Sequence, residues 1–190
     1  MKKIFYNVGR IFTLAFITTM LTIAPSAKAG IWGFNDFLSP SSIAKWSCWA
    51  TGDSYLSHCT YHPGTHVFND RWSPVSLTDS VELTVGSGWS DLGRPVSITP
   101  FYPGTTTRCT ARMTVLPGVD YTLIAQLEVI DAASWTYVKT KRVEYRTPTK
   151  SVIVTPSWVP TSKDIFVRIG IIGGAEYSWL YVGDMTVMCS

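Results

Sequence analysis

Residues 113–127 read Met113-Thr-Val-Leu-Pro-Gly-Val-Asp-Tyr-Thr-Leu-Ile-Ala-Gln-Leu127. The stretch predicts two β-strands joined at a Pro-Gly turn. Pro117 presets its own backbone angle, and Gly118 supplies the freedom a tight reversal needs. Beyond the turn, Tyr121, Leu123, Ala125, Leu127 and Val129 share one face, with Thr122, Gln126 and Glu128 on the other. A period of two marks a half-buried strand. The pattern recurs where Ile165, Val167, Ile169 and Ile171 oppose Phe166, Arg168 and Gly170. It recurs again where Leu180, Val182, Asp184, Thr186 and Met188 oppose Tyr181, Gly183, Met185, Val187 and Cys189.

Working outward, the helical period is nearly absent. Pro63-Gly64, Gly86-Ser87-Gly88, Pro103-Gly104 and Gly173-Gly174 punctuate the chain with turn chemistry. Between them the pattern predicts strands near 43–50, 55–60, 80–86, 95–101, 106–116, 120–130, 135–146, 150–156, 164–172 and 177–188. The first forty residues after position 29 alternate poorly and predict loops. Many short strands with regular turns indicate an all-β antiparallel sandwich or barrel. No repeat and no linker divides the chain.

The N-terminus reads differently. Lys2, Lys3 and Arg10 precede an apolar run from Ile11 to Ala24, and Ala27-Lys28-Ala29 is a small-x-small site. That layout predicts a secretory signal peptide over 1–29 and one domain over 30–190. The run is short for an anchor, which needs roughly 20 apolar residues. Four of the 16 basic residues and none of the 13 acidic ones fall in 1–29, leaving 30–190 with a net charge of −1. That balance lacks the basic footprint of a nucleic-acid binder. The expected product is secreted, extracellular or periplasmic, with no membrane partner after cleavage.

Cys48, Cys59, Cys109 and Cys189 are an even set, which in an exported chain predicts two disulfides. Three pairings are open; Cys48–Cys59 with Cys109–Cys189 is the favoured one, closing a small hairpin and tying a middle strand to the last. The histidines, His58, His62 and His66, fall within Ser57–His66. Three imidazoles and a water suit a catalytic zinc, with Asp53 or Asp70 as base. Against a metal-dependent hydrolase, Pro63-Gly64 interrupts both a helix and a strand, and an oxidised Cys59 is no thiolate ligand. A polar turn is the expectation. No G-x-S-x-G elbow is present, and Glu82, Glu128, Glu144 and Glu176 lie on separate strands or turns, so no matched nucleophile and base emerges.

Three further segments sharpen the fold. The 113–127 hairpin is followed by Val159-Pro-Thr-Ser-Lys-Asp-Ile-Phe-Val-Arg-Ile-Gly170 and by Trp179-Leu-Tyr-Val-Gly-Asp-Met-Thr-Val187. Upstream stands Gly33-Phe-Asn-Asp-Phe37, with Trp46 nine residues on. In this order the chain resembles the jelly-roll carbohydrate-binding modules of the galactose-binding-like group. The resemblance spans most of 33–188 and implies an antiparallel jelly-roll β-sandwich. It also implies a structural calcium held by Asp36 and Asp184, although Gly183 replaces one expected carboxylate. No other cofactor is implied.

Sugar rings offer flat apolar faces rimmed by hydroxyls, which exposed aromatics and neighbouring polar groups meet. Trp89, Trp135 and Trp179 lie at loops or strand ends, with Asp91 and Glu176 close by. They are the expected ligand-binding residues of a non-catalytic, lectin-like domain for a polysaccharide or glycan. Trp46 and Trp49 flank Cys48 and are expected in the core. The alternative is a secreted effector, inhibitor or surface component that binds a protein partner on the same fold.

Overall fold

The alternation at 123–129 and 165–171 is realised as two central, mutually paired strands of one sheet. The computed structural model describes residues 32–36, 38–51, 58–69, 74–85, 88–99, 107–118, 122–174 and 178–190. The expected signal segment 1–29, Asp53, Asp70 and Glu176 lie outside the described residues, as do Gly86-Ser87 and Pro103-Gly104. Among the described residues no helix is long and apolar enough to cross a membrane.

The strands are β1 (Trp32–Asp36), β2 (Ser47–Ala50), β3 (His58–Asn69), β4 (Pro74–Val85), β5 (Ser90–Ser97) and β6 (Cys109–Gly118). They continue with β7 (Leu123–Asp131), β8 (Tyr137–Tyr145), β9 (Ser151–Val154), β10 (Asp164–Gly174) and β11 (Ser178–Cys189). One sheet runs β3-β4-β11-β6-β9, with β1 also paired to β11; the other runs β2-β5-β10-β7-β8. Every pairing is antiparallel. The two sheets enclose one core, and the molecule is an all-β jelly-roll sandwich. Leu83, Met113, Val115, Leu127, Ile169 and Leu180 are wholly buried within it. Removing apolar side chains of this size from water is the main favourable contribution to such a fold.

Both favoured disulfides are present. Cys48–Cys59 links β2 to β3 across the two sheets, and Cys109–Cys189 links β6 to β11 within one. Two disulfides suit a chain that folds in an oxidising compartment.

Four expectations are corrected. Residues 113–127 do not form a hairpin turning at Pro117-Gly118: both residues lie in β6, opposite Leu180 and Trp179, and β6 and β7 belong to different sheets. The chain does not turn at Pro63-Gly64; β3 runs straight through it, with the pairing to β4 shifting between His62 and Thr65. Gly64 takes a positive φ of 81° and its N–H donates to Asp79 Oδ1 at 2.7 Å, so a bulge absorbs the proline. In β11 a second shift, between Val182 and Met185, exchanges the faces. Leu180 and Val182 point inward before it, and Met185, Val187 and Cys189 after it, so the single alternation expected across 180–189 breaks at Gly183. The stretch expected to be loops contains β1, which pairs Trp32–Asp36 with Met185–Cys189.

Candidate functional site

The outer face of the five-stranded sheet carries the residues that alternate with the core. Register places them in rows. Trp49, Asp91, Gly170, Gln126 and Arg142 are successive neighbours from β2 to β8; Gly93, Arg168, Glu128 and Thr140 form the next row, and Pro95, Phe166, Ile130 and Tyr137 the third. Two glycines let neighbouring side chains close over the sheet backbone. A Cβ on Gly93 would lie 2.4 Å from Phe166 Cε1, and one on Gly170 would lie 2.6 Å from Asp91 Cβ. Gly170 lines a cleft of about 330 Å³ together with Trp89, Asp91, Gln126, Glu128, Tyr137 and Arg168.

Arg168 is its centre. Its Nε donates to Glu128 Oε2 at 2.7 Å and its Nη2 to the Tyr137 hydroxyl at 3.1 Å; Nη1 lies 3.4 Å from Asp91 Oδ2. Burial works against the Arg168 charge, but Glu128 and Asp91 outweigh it and hold the group above its ordinary value. Gln126 donates to Glu128 Oε1 and accepts from Arg142 Nε, which fixes the amide orientation. Asp91 is the group left short. Burial pushes its pKa up to about 6, Arg168 pulls it down, and Glu128 adds to the rise. Its Oδ1 is out of contact with solvent and has no hydrogen-bond partner among the described residues.

Aromatic rings frame this polar centre. Tyr137 and Trp135 are 63% and 64% exposed, Trp89 is 38% exposed, and Trp49, expected in the core, is 37% exposed. Phe166 lies between Trp49 and Trp135, with ring centroids 5.5 and 5.6 Å away. Trp49 therefore belongs to the outer-face row, opposite Asp91, while Cys48, also exposed, opposes the core residue Leu92 and bonds to Cys59 in the other sheet. Trp135 sits at positive φ in the turn after β7, built by Asp131. Asp131 Oδ1 accepts the N–H groups of Ala133 and Ser134, and its carbonyl accepts that of Trp135. The Ser134 N–H is the chief cause that holds Asp131 at about 2, against burial.

The chain is similar in fold to the jelly-roll carbohydrate-binding modules. The C-terminal family 22 carbohydrate-binding module of Clostridium thermocellum Xyn10B aligns with 81% of this chain and 90% of its own, at 12% identity and a TM-score of 0.50. A xylan-binding domain from family 22 aligns over 86% and 96%, at 14% identity and a TM-score of 0.49. An arabinose-bound α-L-arabinofuranosidase aligns at 16% identity and a TM-score of 0.48; 79% of this chain spans only 24% of that enzyme. No protein-family model matches the sequence, and no curated protein matches it.

The structure distributes the expected site residues over both sheets. Trp89 and Asp91 line the cleft, and Trp135 stands at its aromatic rim through Phe166. Trp179 lies on β11, in the other sheet. Its indole lies across the Gly118 backbone, where a Cβ would sit 1.6 Å from Cε2, and meets Tyr181 edge-on at 4.9 Å. Arg168, Tyr137 and Gln126 were not singled out in the sequence, and Glu128 stood there only among scattered acids. For Arg168, Gln126 and Glu128 the signal was present, since each is on the polar phase of a strand whose apolar phase was plain; Tyr137, on β8, had no such alternation beside it.

The metal expectations do not fit. His58, His62 and His66 lie along one extended strand, so the outer two are roughly 25 Å apart at about 3.3 Å per residue. His62 Nε2 instead lies 2.9 Å from Glu82 Oε2, which also accepts the Tyr181 hydroxyl at 3.1 Å. Burial, then Glu82, pushes the Tyr181 pKa up to about 12. Asp36 and Asp184 sit near one another in register, since Asp36 opposes Met185. Yet Asp36 is buried with Met185, while Asp184 is exposed. Asp36 is moreover filled by donors: Leu38 N–H at 2.9 Å, the Ser42 hydroxyl at 2.6 Å, Trp46 Nε1 at 3.1 Å and Arg94. Burial pushes this carboxyl up, and Ser42, Leu38 and Arg94 outweigh it and hold it below its ordinary value. The Arg94 guanidinium lies over the rings of Phe34 and Trp46, at 4.9 and 5.9 Å. A fixed organic cation stands beside Asp36, and calcium, which takes six to eight oxygens, has no shared carboxylate pair here.

Proposed function

We propose that residues 30–190 form a secreted, non-catalytic glycan-binding module whose site is the outer face of the five-stranded sheet. The observation that carries this reading is the cleft itself: exposed Tyr137 and Trp89 rings frame a polar cluster of Asp91, Gln126, Glu128 and Arg168. Rings of this kind stack on the apolar face of a sugar, and fixed planar polar groups meet its hydroxyls. The cluster stands on strands, so little order has to be gained on binding. The likeness in fold to carbohydrate-binding modules points the same way. A non-catalytic role is supported by Glu128 and Asp91 both lying against Arg168, an arrangement that orients carboxylates but frees neither as a nucleophile.

The test is retention on a panel of immobilised polysaccharides, followed by calorimetry on the best ligand. Tyr137→Ala and Trp135→Ala are each expected to weaken binding by about three- to tenfold, the range of one aromatic stacking contact. Trp179→Ala, on the opposite sheet, is expected to leave it unchanged. Binding that ignores Tyr137→Ala and falls with Trp179→Ala would move the site to the other face. Retention on no polysaccharide would remove the reading.

A further inference from the structure

A second pocket, of about 470 Å³, adjoins the cleft, and Tyr137 lines both. It is built where the segment before β10 returns to β6: Cys109 and Trp158 exchange backbone hydrogen bonds of 2.8 and 2.9 Å. That pairing sets Trp158 beside Arg108 and Lys139 in the lining, together with the hydroxyl-bearing Thr136 and Ser157. Among the described residues, none that lines it is acidic. Lys139 opposes Val129, a wholly buried residue, so its register position belongs to the inner phase of an edge strand. An inward lysine there guards against edge-to-edge pairing, but that role calls for neither a second cation nor an extra donor. Both are present. Trp158 is 2% exposed, and its Nε1–H has no acceptor among the described residues. A buried donor without an acceptor is costly, and an entering acceptor recovers that cost. The nearby carboxylate of Asp131 does not supply it; Asp131 accepts the Thr161 hydroxyl at 3.1 Å and two backbone N–H groups.

We propose that this second pocket binds the anionic group of an acid-bearing glycan whose neighbouring sugar occupies the cleft beyond Tyr137. The proposal rests on the glycan reading and adds its chemical class. The two pockets are complementary in charge. Arg168 in the cleft is already committed to Glu128, Asp91 and Tyr137 and has little to offer a ligand anion. Arg108 and Lys139 form no ion pair among the described residues. A charge on the ligand is therefore steered past Tyr137, and the register of the glycan is set by where its acid falls.

The experiment compares the full secreted chain on polygalacturonate and its carboxyl-reduced form, and on dextran sulfate and dextran. Affinity for at least one acidic polymer is expected to exceed that for its neutral partner by about tenfold or more, and to fall as salt rises; which polymer wins tells carboxylate from sulfate. Arg108→Gln and Lys139→Gln are each expected to remove most of that preference, while Arg146→Gln, an exposed residue outside both pockets, keeps it. Equal affinity for acidic and neutral polymers overturns the acidic class and leaves the glycan reading standing. Equal losses in Arg146→Gln and Arg108→Gln overturn the pocket in favour of general surface charge. Binding to no polysaccharide at all overturns both readings.

Discussion

At the scale of single residues, the charged groups divide into those that brace the fold and those that face the cleft. Asp36 and Arg94 brace it. With Arg94→Ala the Asp36 carboxylate stays buried without its cation, and urea unfolding is expected to show a loss of roughly 3–5 kcal/mol. The cleft acid Asp91 and the turn acid Asp131 act on stability with opposite signs. Asp131, held at about 2, contributes stability that is present above its unfolded value near 3.8 and is lost as pH falls toward 2. Asp91, raised to about 6, binds its proton more tightly folded than unfolded. Its charge costs stability at pH 7, and that cost is relieved as pH falls from about 6 to about 4. The gain in stability from pH 7 to pH 5 is therefore expected to be larger in the wild type than in Asp91→Asn, as read by urea midpoints at both pH values. Asp91 and Trp89 are legible in the sequence because both follow a glycine turn. Arg168 and Tyr137 are not, because their roles come from cross-strand neighbours some 30 to 40 positions away, which no local pattern contains.

At the scale of elements, the strands with clean alternation were legible, and those carrying bulges were misjudged in length or phase. β7 and β10 kept one apolar phase over Leu123–Val129 and Ile165–Ile171, and their pairing shifts, at Val129/Ile130 and Ile171/Gly173, fall beyond those runs. β3 reads as a short strand near 55–60 that ends before Pro63-Gly64, which has the composition of a turn; a proline on the edge strand β3 is tolerated, since its missing N–H need not break a central ladder. The bulge carries its own prediction. Gly64→Ala places a Cβ at positive φ, although open space surrounds it, and is expected to destabilise by about 1–2 kcal/mol in thermal or urea unfolding. The disulfides differ in the chain they close. Cys109–Cys189 spans 80 residues and Cys48–Cys59 spans 11, so replacing the first pair by alanine is expected to lower the melting temperature more than replacing the second. Both pairings were favoured from the sequence, because pairing sequence neighbours first left the middle and last strands to join.

At the scale of the whole molecule, the sandwich followed from turn spacing and alternation, but the assignment of strands to sheets did not, since register between distant strands depends on packing. A calcium test belongs to this scale. With Arg94 beside Asp36 and Asp184 on the outer side, the melting temperature is expected to be the same in chelator and in millimolar calcium, measured by calorimetry. A rise of several degrees with calcium would reveal a site elsewhere. The pairing of β1 with the end of β11 has a mechanical consequence. Trp32 lies opposite Cys189, so tension applied between the two ends of the described chain loads their hydrogen bonds one after another, as a zipper opens, instead of all together. Under pull the five residues of β1 would peel first, until tension reached Asp36 and its clasp on Arg94 in the opposite sheet. On the other side the Cys109–Cys189 bond would anchor β11 to β6. The sheet bearing the cleft would stay closed while its neighbour's border strand gave way.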